Sequence, residues 1–390
     1  MQKEIIKAYK YRLYPNNTQK ELLEKHFGCT RFVYNKFLFE RRDQYQKTGK
    51  SHSYYDQCKD LTILKKQEEY KWLNDINSQT LQQALRHLEK AYTGFFRGKK
   101  KYPKFKKKNS KNSFTIPQKV RVENKKLYFP KFKEGINVVE HRELKGEICY
   151  ATVIKTLTNK YYVSITVRQG YDSKKPTNKE VGIDLGIKDL VITSDGKKYK
   201  NHKFFDKYKK QLKKAQQHLS RKIKGSNKYE NQRLKVARIH EKIANCRSDV
   251  LHKITHELVM KYDAVYLEDL NIKGMLKNHK LARSISNAGW GELVRQLQYK
   301  GDWDDTCIHK VFRFYPSSKT CSHCGYTLES LDLKTRSWTC PNCSTEHDRD
   351  VNASINILLE GQREISVGTT DYTNGEDVRP YKIISNKANL

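Results

Sequence analysis

Several things this 390-residue sequence lacks narrow what it can be. No hydrophobic run is long enough to cross a bilayer, no signal-peptide pattern follows Met1-Gln2-Lys3, and no isolated amphipathic anchor stands out, so the chain reads as a cytoplasmic protein without a membrane partner. No Ser/His/Asp-type nucleophile signature and no Walker-type phosphate loop is present. A disulfide framework is missing as well. Of nine cysteines, Cys29, Cys58, Cys149, Cys246 and Cys307 are scattered, which suits a reducing compartment. Acidic residues are in deficit, with 43 Asp+Glu against 78 Lys+Arg, a net charge of +35. A field of that sign and size predicts a polyanionic partner, with nucleic acid first. Only 36% of residues are hydrophobic, yet 25 Tyr, 14 Phe and 4 Trp supply packing area that a disordered basic chain would not have.

The central stretch is Glu180 to Gly186. Val181, Ile183 and Leu185 alternate with Gly182, Asp184 and Gly186, so a strand here buries one face and carries a single carboxylate between two glycines on the other. Glycines within a strand often mark the close approach of a ligand or another backbone, which suits an acid that receives a metal ion or phosphate. The competing reading is a hairpin with a solvent-facing Asp184, since Asp189 to Thr193 is a second strand before the Ser194-Asp195-Gly196 turn.

Upstream, Lys3 to Leu13 alternates as a strand until Pro15. Thr18 to Glu21 has capping-box spacing and opens a helix running toward Gly49, with a possible break near Gly28. Ser78 opens another, with Leu81, Ala84, Leu85, Leu88, Tyr92 and Phe95 as its apolar stripe. Next, Lys99, Lys100, Lys101, Lys104, Lys106, Lys107 and Lys108 interleave with Tyr102 and Phe105, which reads either as a nucleic-acid backbone contact or as a solvated loop. From Phe114 to Val167 the period is two, giving two hairpins that suggest a small β-barrel with the helical module inserted. Residues Ser173 to Lys179 read as a linker. Two long basic helices span roughly Lys203–Lys224, with Ala215, Leu219 and Ile223 as stripe, and Lys228–Lys261.

A second acid, Glu268, ends the strand Asp263–Glu268; alone it is a surface residue, but beside Asp184 it fits a site built at strand ends. Trp290–Trp303 reads as a helix and Cys307–Phe314 as a strand. Then Cys321-x2-Cys324 and Cys340-x2-Cys343, fifteen residues apart, have the spacing of two knuckles closing on one structural Zn²⁺. A redox dithiol or an iron–sulfur site lacks the βαβ context or the extra cluster-type spacing it would need. Asp350 follows at the start of a short apolar-striped helix, where capping alone would account for one Asp of His347-Asp348-Arg349-Asp350. Seven residues from Cys343, it is tethered within about 25 Å of the cluster. Three acids from distant parts of a basic chain suggest a divalent-metal site acting on phosphodiesters.

Several motifs carry a resemblance. Gly182-Ile183-Asp184-Leu185-Gly186-Ile187-Lys188, Leu267-Glu268-Asp269-Leu270, Ser284 to Gly291, Tyr315 to Cys321 and Asp348-Arg349-Asp350-Val351-Asn352-Ala353 resemble the TnpB family, as do Tyr11 to Pro15 and Arg31-Phe32-Val33-Tyr34-Asn35. These are transposon-encoded, OrfB-type RNA-guided DNA nucleases related to type V CRISPR effectors, and the resemblance reaches to about Glu360. It implies an α/β multidomain protein. The RNase H-like (RuvC) nuclease domain would occupy 176–316 and 348–364, a wedge-type β-barrel 1–15 and 113–175, a helical recognition module 16–112, and a zinc-bearing insertion 317–347. A flexible tail follows from 365.

The same resemblance implies that Asp184, Glu268 and Asp350 hold two catalytic Mg²⁺ ions, with Asp350 preferred over Asp348, and that one Zn²⁺ is structural. It implies a guide RNA from the transposon end that pairs with double-stranded target DNA beside a short motif. By position in the family pattern Tyr54, Ser78 and Gln82 are candidates for reading that motif, and Arg336 for reaching the scissile phosphate. The leading expectation is a guided, Mg²⁺-dependent endonuclease that supports transposon retention. A guided DNA-binding repressor and a DNA transposase proper are the alternatives; the first would be favoured by loss of an acid, and all three are present.

Overall fold

Alternating burial along the first strand organises the N-terminal half. In β1 (Lys3–Tyr14) the side chains of Ile5, Tyr9, Tyr11 and Leu13 are buried while Glu4, Ile6, Ala8 and Lys10 face out, the period-two pattern of a one-sided sheet. The computed structural model describes residues 3–108, 110–332 and 334–367. The tail expected from 365 thus lies outside the described residues beyond Val367, and its first two residues continue the last helix.

The chain divides between Tyr171 and Asp172 into two compact units. In the first, α1 (Asn17–Thr48) is capped by Asn16, whose side chain accepts from the Gln19 N–H while Gln19 reaches back to the Asn16 N–H, a capping box two residues ahead of the expected one. The helix runs unbroken through Gly28, because Leu23, Phe27, Val33, Phe37 and Leu38 on either side are buried and hold it; it ends at Gly49, whose φ of +68° is the left-handed stop.

After it come α2 (Tyr54–Leu64), a 3₁₀ turn at Glu68–Asp75 and α3 (Ser78–Phe96), packed through Leu61, Leu73, Leu81, Leu85 and Leu88. Strands β2 (Asn112–Ile116), β3 (Arg121–Glu123), β4 (Lys126–Phe129), β5 (Phe132–Val139), β6 (Glu147–Lys155) and β7 (Tyr161–Tyr171) join β1 in a seven-stranded antiparallel sheet, order β2-β6-β7-β1-β5-β4-β3. Asn124 and Lys125, both at positive φ, turn the β3–β4 hairpin.

The second unit begins with the segment read as a linker. It is pinned: Asp263 accepts from the backbone N–H groups of Thr177 (2.8 Å) and Asn178 (2.7 Å) and pairs with Lys174 (3.0 Å). Then follow β8 (Glu180–Asp184), β9 (Asp189–Thr193), β10 (Lys198–Lys200), α4 (Phe204–Ser220), α5 (Asn227–Lys261), β11 (Ala264–Glu268), α6 (Ile272–Met275), α7 (Ala282–Ala288), α8 (Trp290–Asp304), β12 (Cys307–Val311), β13 (Ser337–Thr339), β14 (Glu346–Asp348) and α9 (Arg349–Ser366). The main sheet has order β10-β9-β8-β11-β12, antiparallel as far as β8 and parallel from there on.

Val181, Ile183, Val265 and Leu267 face a core shared with Leu251, Leu258, Leu293 and Leu297 of α5 and α8. On the opposite face Ala264 and Tyr266 pack with Ile357 of α9. Of the stripe expected on the first basic helix, Ile223 lies past the end of α4 and is 83% exposed; Leu212 is the residue that α4 buries.

Candidate active site and metal centre

Strand ends set the first two acids side by side. Leu267 of β11 is the register partner of Ile183 of β8, and Glu268 and Asp184 each follow by one residue. The third comes with α9, which lies directly on β8: a Cβ at Gly182 would sit 2.0 Å from the Ser354 carbonyl oxygen, and one at Gly361 would sit 2.1 Å from the Tyr266 ring. Of the two visitors that a strand glycine allows, a ligand or another backbone, Gly182 has the second: it is the seat of a helix backbone, and that seat brings Asp350, the second residue of α9, toward the strand ends.

The electrostatics register the convergence. Burial first, then the like charges of Glu268 and Asp350, push the Asp184 carboxyl up to about 7, against smaller opposing effects from the Leu185 backbone and Arg349. Glu268 accepts a hydrogen bond from the buried Ser317 hydroxyl at 2.6 Å. Asp350 has Arg336 at 3.8 Å, and Arg336 is itself fixed through its carbonyl, which accepts from the Arg349 N–H at 2.8 Å. Asp348 is otherwise engaged. It caps α9 by accepting from the N–H groups of Asp350 and Val351, both at 3.1 Å, and it pairs with Lys198 at 2.6 Å.

The four cysteines form a separate cluster. Their sulfurs lie within 4.8 Å of one another, the one group of three or more potential ligands to do so among the described residues; the three carboxylates are spread more widely. Cys321 and Cys343 are 3.7 Å apart and Cys324 and Cys340 3.6 Å. A tetrahedron of 2.3 Å Zn–S bonds has edges of about 3.8 Å, so the donor set fits a closed zinc site. His347 meets Cys321 through Nε2 at 3.0 Å and packs on Trp338.

Cluster and acids share one scaffold, and sequence reasoning did not find it. Asn352 and Asn356, one turn apart on α9 and almost fully buried, hold the loop that leads into the cysteines: both donate to the Thr320 carbonyl (2.7 and 2.6 Å), Asn356 also to that of Ser317 (2.8 Å), and Asn352 accepts from the Ser322 N–H (3.0 Å). Two asparagines at i,i+4 on an apolar helix face were the available signal.

The remaining candidates lie in the first unit. Ser78 and Gln82 are exposed, one turn apart on α3, and the Ser78 hydroxyl accepts from Lys65 at 3.0 Å. Tyr54 is the first residue of α2, half-buried against the helical core. The run from Lys99 to Lys108 has no helix or strand. Lys106 is anchored within it: Asn35 grips its backbone at both N–H (2.8 Å) and carbonyl (3.0 Å), and its ammonium lies 4.0 Å over the Tyr34 ring.

Three family models match. Residues 150–279 match OrfB_IS605, described as a probable transposase; residues 290–357 match the Cas12f1-like TNB domain; and residues 1–50 match a helix-turn-helix domain, although here that stretch is β1 and the single helix α1. A Streptomyces pristinaespiralis protein named "Putative RNA-guided DNA endonuclease" is 39% identical, the alignment covering 93% of this chain and 90% of that one. A second, "Putative RNA-guided DNA endonuclease InsQ" of Escherichia coli (strain K12), is 32% identical over 93% of this chain and 94% of its own length. The Cas12f1 protein of a Cas12f1–sgRNA–target DNA complex shares the fold, with a TM-score of 0.57 at 13% identity over 91% of this chain and 99% of that one. Full-length similarity of this degree shows that the chain belongs to the TnpB (OrfB-type) family of transposon-encoded RNA-guided DNA endonucleases.

Proposed function

We propose that this chain is an RNA-guided DNA endonuclease that cuts double-stranded DNA complementary to a guide RNA derived from its transposon end, beside a short motif read by the protein. The observation that carries the catalytic part is the convergence of Asp184, Glu268 and Asp350 from β8, β11 and α9, where burial and then the two neighbouring carboxylates raise the Asp184 carboxyl in a chain of charge +35. The strand order β10-β9-β8-β11-β12, with three antiparallel strands followed by two parallel ones, supports an RNase H-like (RuvC) domain for this sheet. The seven-stranded sheet is the wedge-type element, and α1 to α3 are the recognition module.

An all-oxygen, like-charged donor set suits hard divalent cations, so Asp184, Glu268 and Asp350 are the residues that hold Mg²⁺. Two such ions, when bound, supply Lewis-acid activation of water and stabilise the departing oxygen. The chain's own groups orient the rest. Ser317 donates to Oε1 of Glu268 and so restrains that carboxylate. Arg336, beside Asp350, is the cation that meets the scissile phosphate. Asp348 starts the helix that presents Asp350. Zn²⁺ on Cys321, Cys324, Cys340 and Cys343 fixes the insertion structurally, and through Asn352 and Asn356 that insertion is continuous with the acid-bearing helix.

Tyr54, Ser78 and Gln82 are the motif readers, Gln82 having the amide that pairs with adenine. The lysines of the 99–108 run follow nucleic-acid backbone. Cutting of this kind supports retention of the transposon, and the protein acts in the cytoplasm at the nucleoid. Among the described residues no helix is long and apolar enough to cross a membrane.

The test begins with co-expression of the chain and its flanking transposon-end sequence, followed by sequencing of the RNA that co-purifies after nuclease treatment. One protected species with a constant scaffold and a variable end is expected. That complex should cut matched DNA only with Mg²⁺, and Asp184→Ala should abolish cutting while guide-dependent binding survives. Retained cutting by Asp184→Ala would sink the site assignment, and recovery of heterogeneous cellular RNA alone would sink the guided reading.

A further inference from the structure

Just past the end of β12 the chain exposes two phenylalanines. Phe312 is 60% exposed and Phe314 78%, and among the described residues no aromatic side chain is more exposed than Phe314. Their rings meet edge to face at 5.7 Å, so each braces the other while both stay open to solvent.

Exposed apolar side chains are ordinary when scattered; what sets this pair apart is the place and the stiffness of its backbone. Val311, the last residue of β12, is the register partner of Glu268, so Phe312 leaves the sheet at the level of that acid. The Phe312 N–H donates to Glu364 of α9 at 3.0 Å, and the Tyr315 N–H donates to the Phe312 carbonyl at 3.1 Å, which closes a turn with Phe314 at its third position. Within that turn Arg313 is drawn onto Asp269, its Nε donating to the Asp269 carbonyl at 3.0 Å and its Nη2 to the carboxylate. Two residues beyond the turn, Ser317 donates to Glu268 at 2.6 Å. Phe314 precedes Ser317 by three residues, so their Cα atoms lie no more than about 11 Å apart. At duplex spacing that is roughly three nucleotides from a phosphodiester held at Glu268, and fewer where the strand is extended.

The chemistry of the turn selects a base. Its neighbouring cations, Lys310 (3.4 Å) and Arg313, are both committed to Asp269, so the turn offers ring faces in place of free charge. Bases in a duplex show their edges in the grooves and hide their faces in the stack, so a protruding ring engages a base that is unpaired. Two rings are also far short of the roughly 20–30 residues a side that a stable protein interface uses. We propose that Phe314, braced by Phe312, stacks on an unpaired base of the DNA strand being cut, within about three nucleotides of the scissile phosphate, and so holds that strand in register with Asp184, Glu268 and Asp350. This rests on the nuclease reading proposed above.

The test uses the full-length protein with its guide RNA and a matched target whose cut positions have been mapped with wild type. Single-turnover cutting is then compared for wild type, Phe314→Leu and Phe314→Trp, each on intact target and on targets with one abasic nucleotide at successive positions on either side of the cut. Leucine keeps an apolar side chain without a π face and should slow cutting of intact target by ~10-fold, whereas tryptophan should restore the rate. At one position the abasic nucleotide should slow wild type by a similar factor and leave Phe314→Leu no slower than it already is, because the ring and the base are two halves of one contact. Melting temperature, retention of guide RNA and dissociation of matched target without Mg²⁺ should equal wild type.

Wild-type cutting by the double variant Phe312→Leu/Phe314→Leu overturns the proposal, as does a Phe314→Trp variant as slow as Phe314→Leu. Abasic losses that multiply with the leucine loss at every position overturn it too, since ring and base would then act independently. A fall in melting temperature would assign the ring to packing within the chain, and loss of guide RNA would assign it to the RNA; either outcome overturns it. Wild-type complex that does not cut matched DNA defeats the functional reading itself and is recognised before any variant is compared.

Discussion

Asp348 and Asp350 are separated by one residue and differ in consequence because the helix begins between them. Asp348 is outside the helix, where its side chain satisfies two orphan N–H groups; Asp350 is inside it, and its charge is left to act on Asp184. Asp184 makes the effect measurable. In the folded protein its carboxyl keeps a proton up to about pH 7, whereas in the unfolded chain it ionises near 3.8. Between those values the native state binds more protons than the unfolded one, so this group's contribution to stability falls as pH rises and is fully unfavourable above pH 7. Asp184→Asn should therefore stabilise the protein by on the order of 2 kcal/mol at pH 8 and by almost nothing at pH 4. Urea denaturation at both pH values, without added divalent ion, checks this. An equal effect at the two would mean that neither burial nor the neighbouring acids raise the Asp184 carboxyl.

At the scale of elements, what was legible depended on how local the cause is. The strand at Glu180–Asp184, the Cys-x2-Cys pairs and the hairpins around Asn124 and Asn159 all follow from spacing within a few residues, and each is found as read. The meaning of Gly182 was not legible. A strand glycine announces a close approach without naming what approaches, and here the visitor is α9, some 170 positions downstream. Ser317 beneath Glu268 and the two asparagines of α9 were hidden for the same reason, since their partners meet only in the folded unit. The break suspected at Gly28 failed differently: buried neighbours on one face outweigh one weak helix former. The α9 contact supplies a prediction. Gly182→Ala puts a methyl against backbone that cannot yield by side-chain rotation, so it should cost about 3 kcal/mol in urea denaturation and reduce cleavage more than guided binding, because α9 carries Asp350. A neutral Gly182→Ala would mean that α9 does not sit on β8 at this distance.

Over the whole molecule the charge of +35 is both an attraction and a problem, because a field that draws in any polyanion does not choose among them. On the guided reading proposed above, choice comes from base pairing and motif reading, and the basic surface has only to supply strength. The lysine run is where these roles separate. Lys106 is clasped by Asn35 and lies over Tyr34, so it belongs to the scaffold, and its replacement would disturb folding as well as charge. Lys99, Lys100, Lys101, Lys104, Lys107 and Lys108 can be changed together to glutamine with Lys106 left in place. Each lysine that neutralises a duplex phosphate contributes roughly 0.9 to the slope of log affinity against log salt, so the sextuple variant should flatten that slope by up to about 5. The loss should be the same for every target matched to the guide, since phosphate contacts do not discriminate sequence. Titrations of guided DNA binding from low to physiological salt on two unrelated targets measure both quantities. A slope equal to wild type would make the run a solvated loop, and a loss confined to one target would make it a reader of bases.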